Sequence, residues 1–202
     1  ASKPITGNLE KNKVSVQNSI NNITGTSTTP LVGSSGLSMQ FAIMMGLIDH
    51  AKEHHPQKAI KIVVPPNCYG GTNDQARRLA ASVHCVEVVD LPVDGNNDMV
   101  QRIETVIEQI AQQDAIPYII AEIPTNPRVE VPDLEALKNV LSSKRYTSDG
   151  NTAIEPVFIL DQTFCPNVHF IEDGAILASV KAIAYASGSK FPSAGQCTAG
   201  YC

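Results

Sequence analysis

Apolar and polar positions fall in blocks along this chain, and the blocks change period. The opening stretch is polar: Asn18-Ser19-Ile20-Asn21-Asn22 and Thr24-Gly25-Thr26-Ser27-Thr28-Thr29-Pro30 read as loop or arm, with a weakly patterned helix over Leu9–Ile23. From Leu31 the text changes. Leu37–His50 is mostly apolar and long enough for a buried helix, entered through Gly33-Ser34-Ser35-Gly36. Ile60–Val64 is a short apolar run closed by Pro65-Pro66, which predicts a strand. Thr72 or Asn73 can cap a helix running to Val83, and His84–Val89 reads as the next strand. After Asp98, Val100, Ile103, Val106, Ile107 and Ile110 recur at the three-and-four spacing of a helix packed on a sheet. Tyr118–Ile123 reads as a strand, Pro132-Asp133 opens a helix to Leu141, and Ser142–Pro156 is a polar loop. Val157–Leu160 predicts a strand ending at Asp161, and two β-rich runs, Ile176–Val180 and Ala182–Ala186, lead to Ser187.

Strands alternating with helices of this length imply an α/β fold, a mainly parallel sheet covered by helices on both faces. Ligands of such sheets sit beyond the carboxyl ends of the strands, so the residues just after each strand are the place to look for chemistry. Asn67-Cys68-Tyr69-Gly70-Gly71-Thr72, Glu122-Ile123-Pro124-Thr125-Asn126-Pro127, Asp161-Gln162-Thr163-Phe164 and Ser187-Gly188-Ser189-Lys190 stand there, while Ser35-Gly36 opens a helix. Together they offer an anion-binding helix end, an aromatic plane, a carboxylate and a lysine. Pyridoxal phosphate asks for such a set. Its phosphate takes backbone N–H groups at a helix N-terminus, its aldehyde a lysine, its pyridine nitrogen a carboxylate, and its ring an aromatic neighbour.

Composition narrows the field. The 202 residues carry 15 Lys+Arg against 20 Asp+Glu, a net charge of −5, with 43 % hydrophobic residues. That is a globular profile without the basic stripe of a nucleic-acid binder. No apolar run is long enough for a transmembrane helix, and Ala-Ser-Lys-Pro opens without an apolar signal core. Cys68, Cys85, Cys165, Cys197 and Cys202 are odd in number and widely spaced, so a disulfide framework is not expected and a cytoplasmic location fits. His50 and His54 stand at metal-ligand spacing, but without a third ligand nearby they read as a solvated helix end, and no metal is expected. Neither GxGxxG nor GxxxxGK[ST] occurs.

Ser35-Gly36-Leu37, Tyr69-Gly70-Gly71-Thr72, Glu122-x-Pro124-Thr125-Asn126-Pro127, Asp161-x-Thr163-Phe164 and Ser187-x-Ser189-Lys190 occur in one order, with Val131-Pro132-Asp133-Leu134-Glu135-Ala136-Leu137 following the third. Over residues 33 to 200 the chain thereby resembles the Cys/Met-metabolism pyridoxal-phosphate enzymes: cystathionine γ-synthase, cystathionine lyases and methionine γ-lyase. The resemblance implies the large domain of fold type I enzymes. Lys190 would carry the cofactor as a Schiff base and shuttle protons, Asp161 would pair with the pyridine nitrogen, and Tyr69 would stack on the ring. Gly36 and Leu37, introduced by Ser35, would hold the phosphate with Ser187 and Ser189. Asn126 would lie near the phenolic oxygen, Glu122 would support the site floor, and Thr163 would help hold the ring.

The likeness also implies pyridoxal 5′-phosphate as cofactor, a small sulfur amino acid as substrate, neither nucleic acid nor membrane as partner, and a homodimer or homotetramer. The reaction implied is β- or γ-elimination or replacement on cystathionine-like substrates. Gly71, where methionine γ-lyases tend to carry cysteine, leans toward cystathionine-type chemistry. The alternatives are a non-catalytic relative that binds the cofactor, or an aminotransferase of the same fold. Departures are visible: the lysine motif usually reads Ser-Ala-Thr-Lys, Gln162 stands where Asn is frequent, Ala186 where His is common, and the loop Ser142–Pro156 is long. Residues 1–34 hold neither Tyr nor Arg, whereas the family has a Tyr-x-Arg segment there. The resulting expectation is a polar arm over 1–32 and a cofactor-binding large domain over 33–202, without the C-terminal small domain and its substrate-carboxylate arginine.

Overall fold

The computed structural model describes residues 7–93, 97–191 and 193–202. In chain order the elements are α1 (Leu9–Thr24), β1 (Val32–Gly33), α2 (Gly36–His54), β2 (Ile60–Val64), α3 (Gly70–Ser82), β3 (Val86–Asp90), α4 (Met99–Gln112), β4 (Ile116–Glu122), α5 (Leu134–Ser142), β5 (Val157–Asp161), β6 (Ala182–Ser187) and β7 (Gly200–Tyr201). One sheet runs in the order β1-β7-β6-β5-β4-β2-β3. Its five longer strands are mutually parallel, and the short β7 and β1 close one side antiparallel. The fold is thus α/β with a mostly parallel sheet, as the alternation of apolar runs predicts.

Every residue of β4 is buried, which is why its sequence reads as an unbroken apolar run. Successive side chains go to opposite faces. Tyr118 and Ile120 pack with Met39, Ile43, Met44 and Ile48 of α2 and Leu79 of α3. Ile119 and Ala121 pack with Ile103, Val106, Ile107 and Ile110 of α4 and Leu137 and Leu141 of α5. Tyr118 tolerates this position because its hydroxyl donates to the Leu47 carbonyl at 2.8 Å.

Two local expectations change. Ile176–Val180 is not a strand. It forms turns tied by Leu177 N–H to the Phe170 carbonyl (2.9 Å) and Val180 N–H to the Leu177 carbonyl (3.0 Å), and its apolar side chains fill the α4/α5 face of the core. Apolar content alone does not separate a strand from a packed turn. Helix α3 starts earlier than a Thr72 or Asn73 cap implies, with Tyr69 at the N-cap and no side-chain cap bond. Thr72 is instead buried and spends its hydroxyl on Gln40. The weakly patterned helix of the polar opening is present as α1, capped by Asn8 and ended by Gly25 at φ 71°. A side chain on Gly25 would collide with His169 and Glu172. His169 Nδ1 faces Glu172 Oε1 at 2.7 Å and its Nε2 faces the Ile23 carbonyl at 3.1 Å, fixing the end of α1 to the segment after β5.

Phe158 in β5 is fully buried and is the largest such side chain. Phe158→Ala should lower unfolding stability by about 3–5 kcal/mol, the cost of a large aromatic cavity, whereas Lys181→Ala, at an exposed ion pair with Glu155, should stay within about 0.5 kcal/mol. Urea unfolding of both variants measures the contrast.

Candidate functional site

Parallel strands bring four chain segments to one edge of the sheet. Asp161 ends β5, Glu122 ends β4, Ser187 ends β6, and the loop after β2 carries Tyr69. Opposite them lies the first turn of α2. Its Ser35 side chain accepts from Ser38 N–H at 3.0 Å while the Ser38 hydroxyl accepts from Ser35 N–H at 2.9 Å, a reciprocal cap that fixes where the helix begins. The Met39 amide bonds the Ser35 carbonyl; the amides of Gly36 and Leu37 take no acceptor among the described residues. A Cβ on Gly36 would come within 2.8 Å of Ser187 Cβ, so glycine lets the helix end meet β6.

These segments enclose a cavity of about 300 Å³, and all the site residues inferred from sequence line it: Ser35, Gly36, Leu37, Tyr69, Glu122, Asn126, Asp161, Thr163, Ser187, Ser189 and Lys190. Hydrogen bonds knit its polar side. Ser189 and Ser187 hydroxyls are 2.8 Å apart, Ser187 N–H donates to Thr163 Oγ1 at 2.9 Å, and Thr163 N–H donates to Asp161 Oδ1 at 2.9 Å. Glu122 is buried, and its two oxygens accept from Tyr69 N–H at 2.6 Å and Asn126 N–H at 3.2 Å. One carboxylate thereby fixes the loop of the aromatic and the loop of the amide. Tyr69 is 50 % exposed and Lys190 is exposed on the turn after β6, not enclosed as its expected role suggests. Phe164 and Phe191 meet edge to face near the cavity, ring centres 6.0 Å apart.

Burial raises the Asp161 carboxyl above its ordinary value, opposed by the nearby hydroxyl and amide of Thr163 and the nearby hydroxyl of Tyr185. Burial also raises Glu122, the Tyr69 N–H bond opposes it, and the nearby Asp161 charge adds to the rise. Among the described residues no cation pairs with Asp161. Burial and the Glu122 charge push the neighbouring Cys68 thiol up to about 12, which keeps it protonated and unreactive.

Four further residues line the cavity: Pro124 and Phe164, which stand within the motifs, and Gln40 and Tyr185, which the sequence reading missed. Gln40 is a lone amide inside the apolar stretch of α2, and that isolation was its signal. Tyr185 is hidden in a strand run where a tyrosine reads as ordinary β composition.

The donor set fits pyridoxal phosphate. Unsatisfied amides at a glycine-cleared helix end suit the phosphate, and a half-buried carboxylate lacking a cation among the described residues suits a protonated ring nitrogen. The fold is that of fold type I pyridoxal-phosphate proteins. A model of the Cys/Met metabolism PLP-dependent enzymes matches residues 6–170, and the chain belongs to this family, whose cofactor is pyridoxal 5′-phosphate. No curated protein sequence matches the chain. Among solved structures it is similar to metB from Corynebacterium glutamicum (20 % identity, TM-score 0.57) and to the cystathione gamma lyase CalE6 from Micromonospora echinospora (16 % identity, TM-score 0.60). Each likeness covers 94 % of this chain and 41 % of the other, so the chain spans less than half the length of those structures. At such identities they establish the fold.

Raised carboxyls have a consequence for stability. In the folded, cofactor-free protein Asp161 and Glu122 retain protons that the unfolded chain releases near pH 4. The native state then binds more protons, so their contribution is intact below that pH and is lost as pH rises through the folded values. Asp161→Asn should flatten this fall. Urea midpoints between about pH 4 and 8 measure it, and a wild-type slope unchanged in Asp161→Asn would refute it.

Proposed function

We propose that the intact protein catalyses elimination or replacement at the side chain of a sulfur amino acid, of the cystathionine type, with pyridoxal 5′-phosphate. The observation that carries this is the convergence of Lys190, Asp161, Tyr69 and the first turn of α2 on one cavity. When bound, the cofactor supplies an electron sink for the pair left at the substrate Cα. Lys190 would hold the cofactor aldehyde covalently and then move the Cα proton as general base and acid. Asp161 would keep the ring nitrogen protonated, its own desolvation offset by that cation. Tyr69 would cover the ring, its loop set by Glu122, and its hydroxyl would serve a departing side-chain group. Gly36 and Leu37 amides, with Ser187 and Ser189, would bind the phosphate. Thr163 would hold Asp161 in register, and Asn126 would face the phenolic oxygen.

Such chemistry needs water kept out, and here Lys190, Tyr69, Phe164 and Phe191 are open to solvent. We read this open flank as the side covered by another subunit, in a homodimer or homotetramer. All five cysteines are free, which accords with a reducing cytosol. Among the described residues no helix is long and apolar enough to cross a membrane.

Lys190→Ala in the intact protein should abolish borohydride fixation and the yellow band of lysine-bound cofactor, while free cofactor remains loosely held. Peptide mapping that places the fixed cofactor on another lysine would overturn the assignment. Sedimentation should give a dimer or larger at micromolar concentration; a stable monomer would count against the covered flank.

A further inference from the structure

In the cavity wall, reaching back from it, lies a hydrogen-bonded group that the proposed reaction does not use. Gln40, Thr72 and Tyr185 are each almost wholly buried. Tyr185 pairs with Asp161 in the parallel register of β6 and β5, so the two side chains leave the sheet on the same face. Tyr185 Oη stands 2.8 Å from Gln40 Oε1, and Thr72 Oγ1 stands 2.9 Å from the same oxygen. Gln40 Nε2 is buried with no partner.

An amide can turn about its terminal bond, exchanging oxygen and nitrogen without a change of shape. With the oxygen inward, Gln40 receives two hydroxyl protons, both Nε2 protons go unused, and the Tyr185 proton is lost to Asp161. With the nitrogen inward, its two protons serve Thr72 Oγ1 and Tyr185 Oη. Tyr185 is then free to donate to the Asp161 carboxylate beside it, and the unpaired buried donor is removed at the cost of one unpaired acceptor. Buried donors that find partners and a carboxylate that gains a donor favour the second arrangement.

We propose that Tyr185, oriented by Gln40 Nε2, is a positioning residue that donates a hydrogen bond to Asp161 and fixes that carboxylate as the ionised partner of the cofactor ring. The proposal rests on the reading of Asp161 above. It adds two residues from α2 and β6 that act through Asp161.

In the intact protein, Tyr185→Phe should weaken pyridoxal-phosphate binding about tenfold, the effect of losing one hydrogen bond to a charged group, and Gln40→Met should weaken it less. The loss should shrink to within about twofold in an Asp161→Asn background, because coupled neighbours are not additive. Equal weakening in both backgrounds would show that Tyr185 acts by packing alone, and no weakening would remove it from the site; either overturns the proposal. A measurement without cofactor separates this from the reading beneath it. Tyr185→Phe should carry the pH-dependent loss of stability to higher pH when Asp161 is present and leave the Asp161→Asn profile unmoved. If wild type binds no pyridoxal phosphate, the functional reading fails while this apo comparison still decides the Tyr185–Asp161 bond. An unmoved apo profile in Tyr185→Phe would refute that bond.

Discussion

Parallel pairing is the constraint on which this molecule depends. Five strands that all run one way must all finish on one edge, and each finish carries unspent backbone groups and a side chain free of the sheet. Asp161 and Glu122 are register partners at the ends of β5 and β4, so the pairing that builds the core also sets two carboxylates side by side. The helices make this affordable by covering both faces: α2 and α3 on one, α4 and α5 on the other. The position of α2 follows from the same packing. Its apolar side chains lie on β2, β4 and β6, which leaves its first turn level with the strand ends.

Much of this was legible in the order of residues. Long apolar runs and the three-and-four spacing of α4 are strong signals because burial on a two-sided sheet admits few other patterns. The candidate residues that line the cavity were legible because they stand at strand ends, in the loops beyond them or at a helix start, and the set is chemically coherent. What escaped has a physical reason in each case. β1 and β7 have two residues each and exist through pairing with the sheet, not through local preference. Ile176–Val180 is apolar because it packs over the core, and packing does not ask for extended backbone. Tyr185 meets Gln40 across 145 positions of sequence, a contact that the local pattern around Tyr185 does not record.

Glu122 illustrates how a buried charge can serve geometry. Burial costs its ionised form, yet two amides from separate loops converge on it at 2.6 and 3.2 Å. Charge-assisted bonds of this kind are directional and short. They set Tyr69 and Asn126 relative to one strand end, so loops that carry function inherit the rigidity of the sheet.

The unsatisfied first-turn amides of α2 lie on one side of the cavity and the raised carboxyls on the other. An α-helix start is the positive pole of a peptide dipole, and Asp161 with Glu122, once ionised, form the negative pole. A pocket charged in this way works as a ruler for zwitterions. It would favour a guest whose anion and cation are separated by the right span over a simple anion, which gains at one pole and is repelled from the other. Selection in such a pocket begins with the spacing of opposite charges, before any single contact is made.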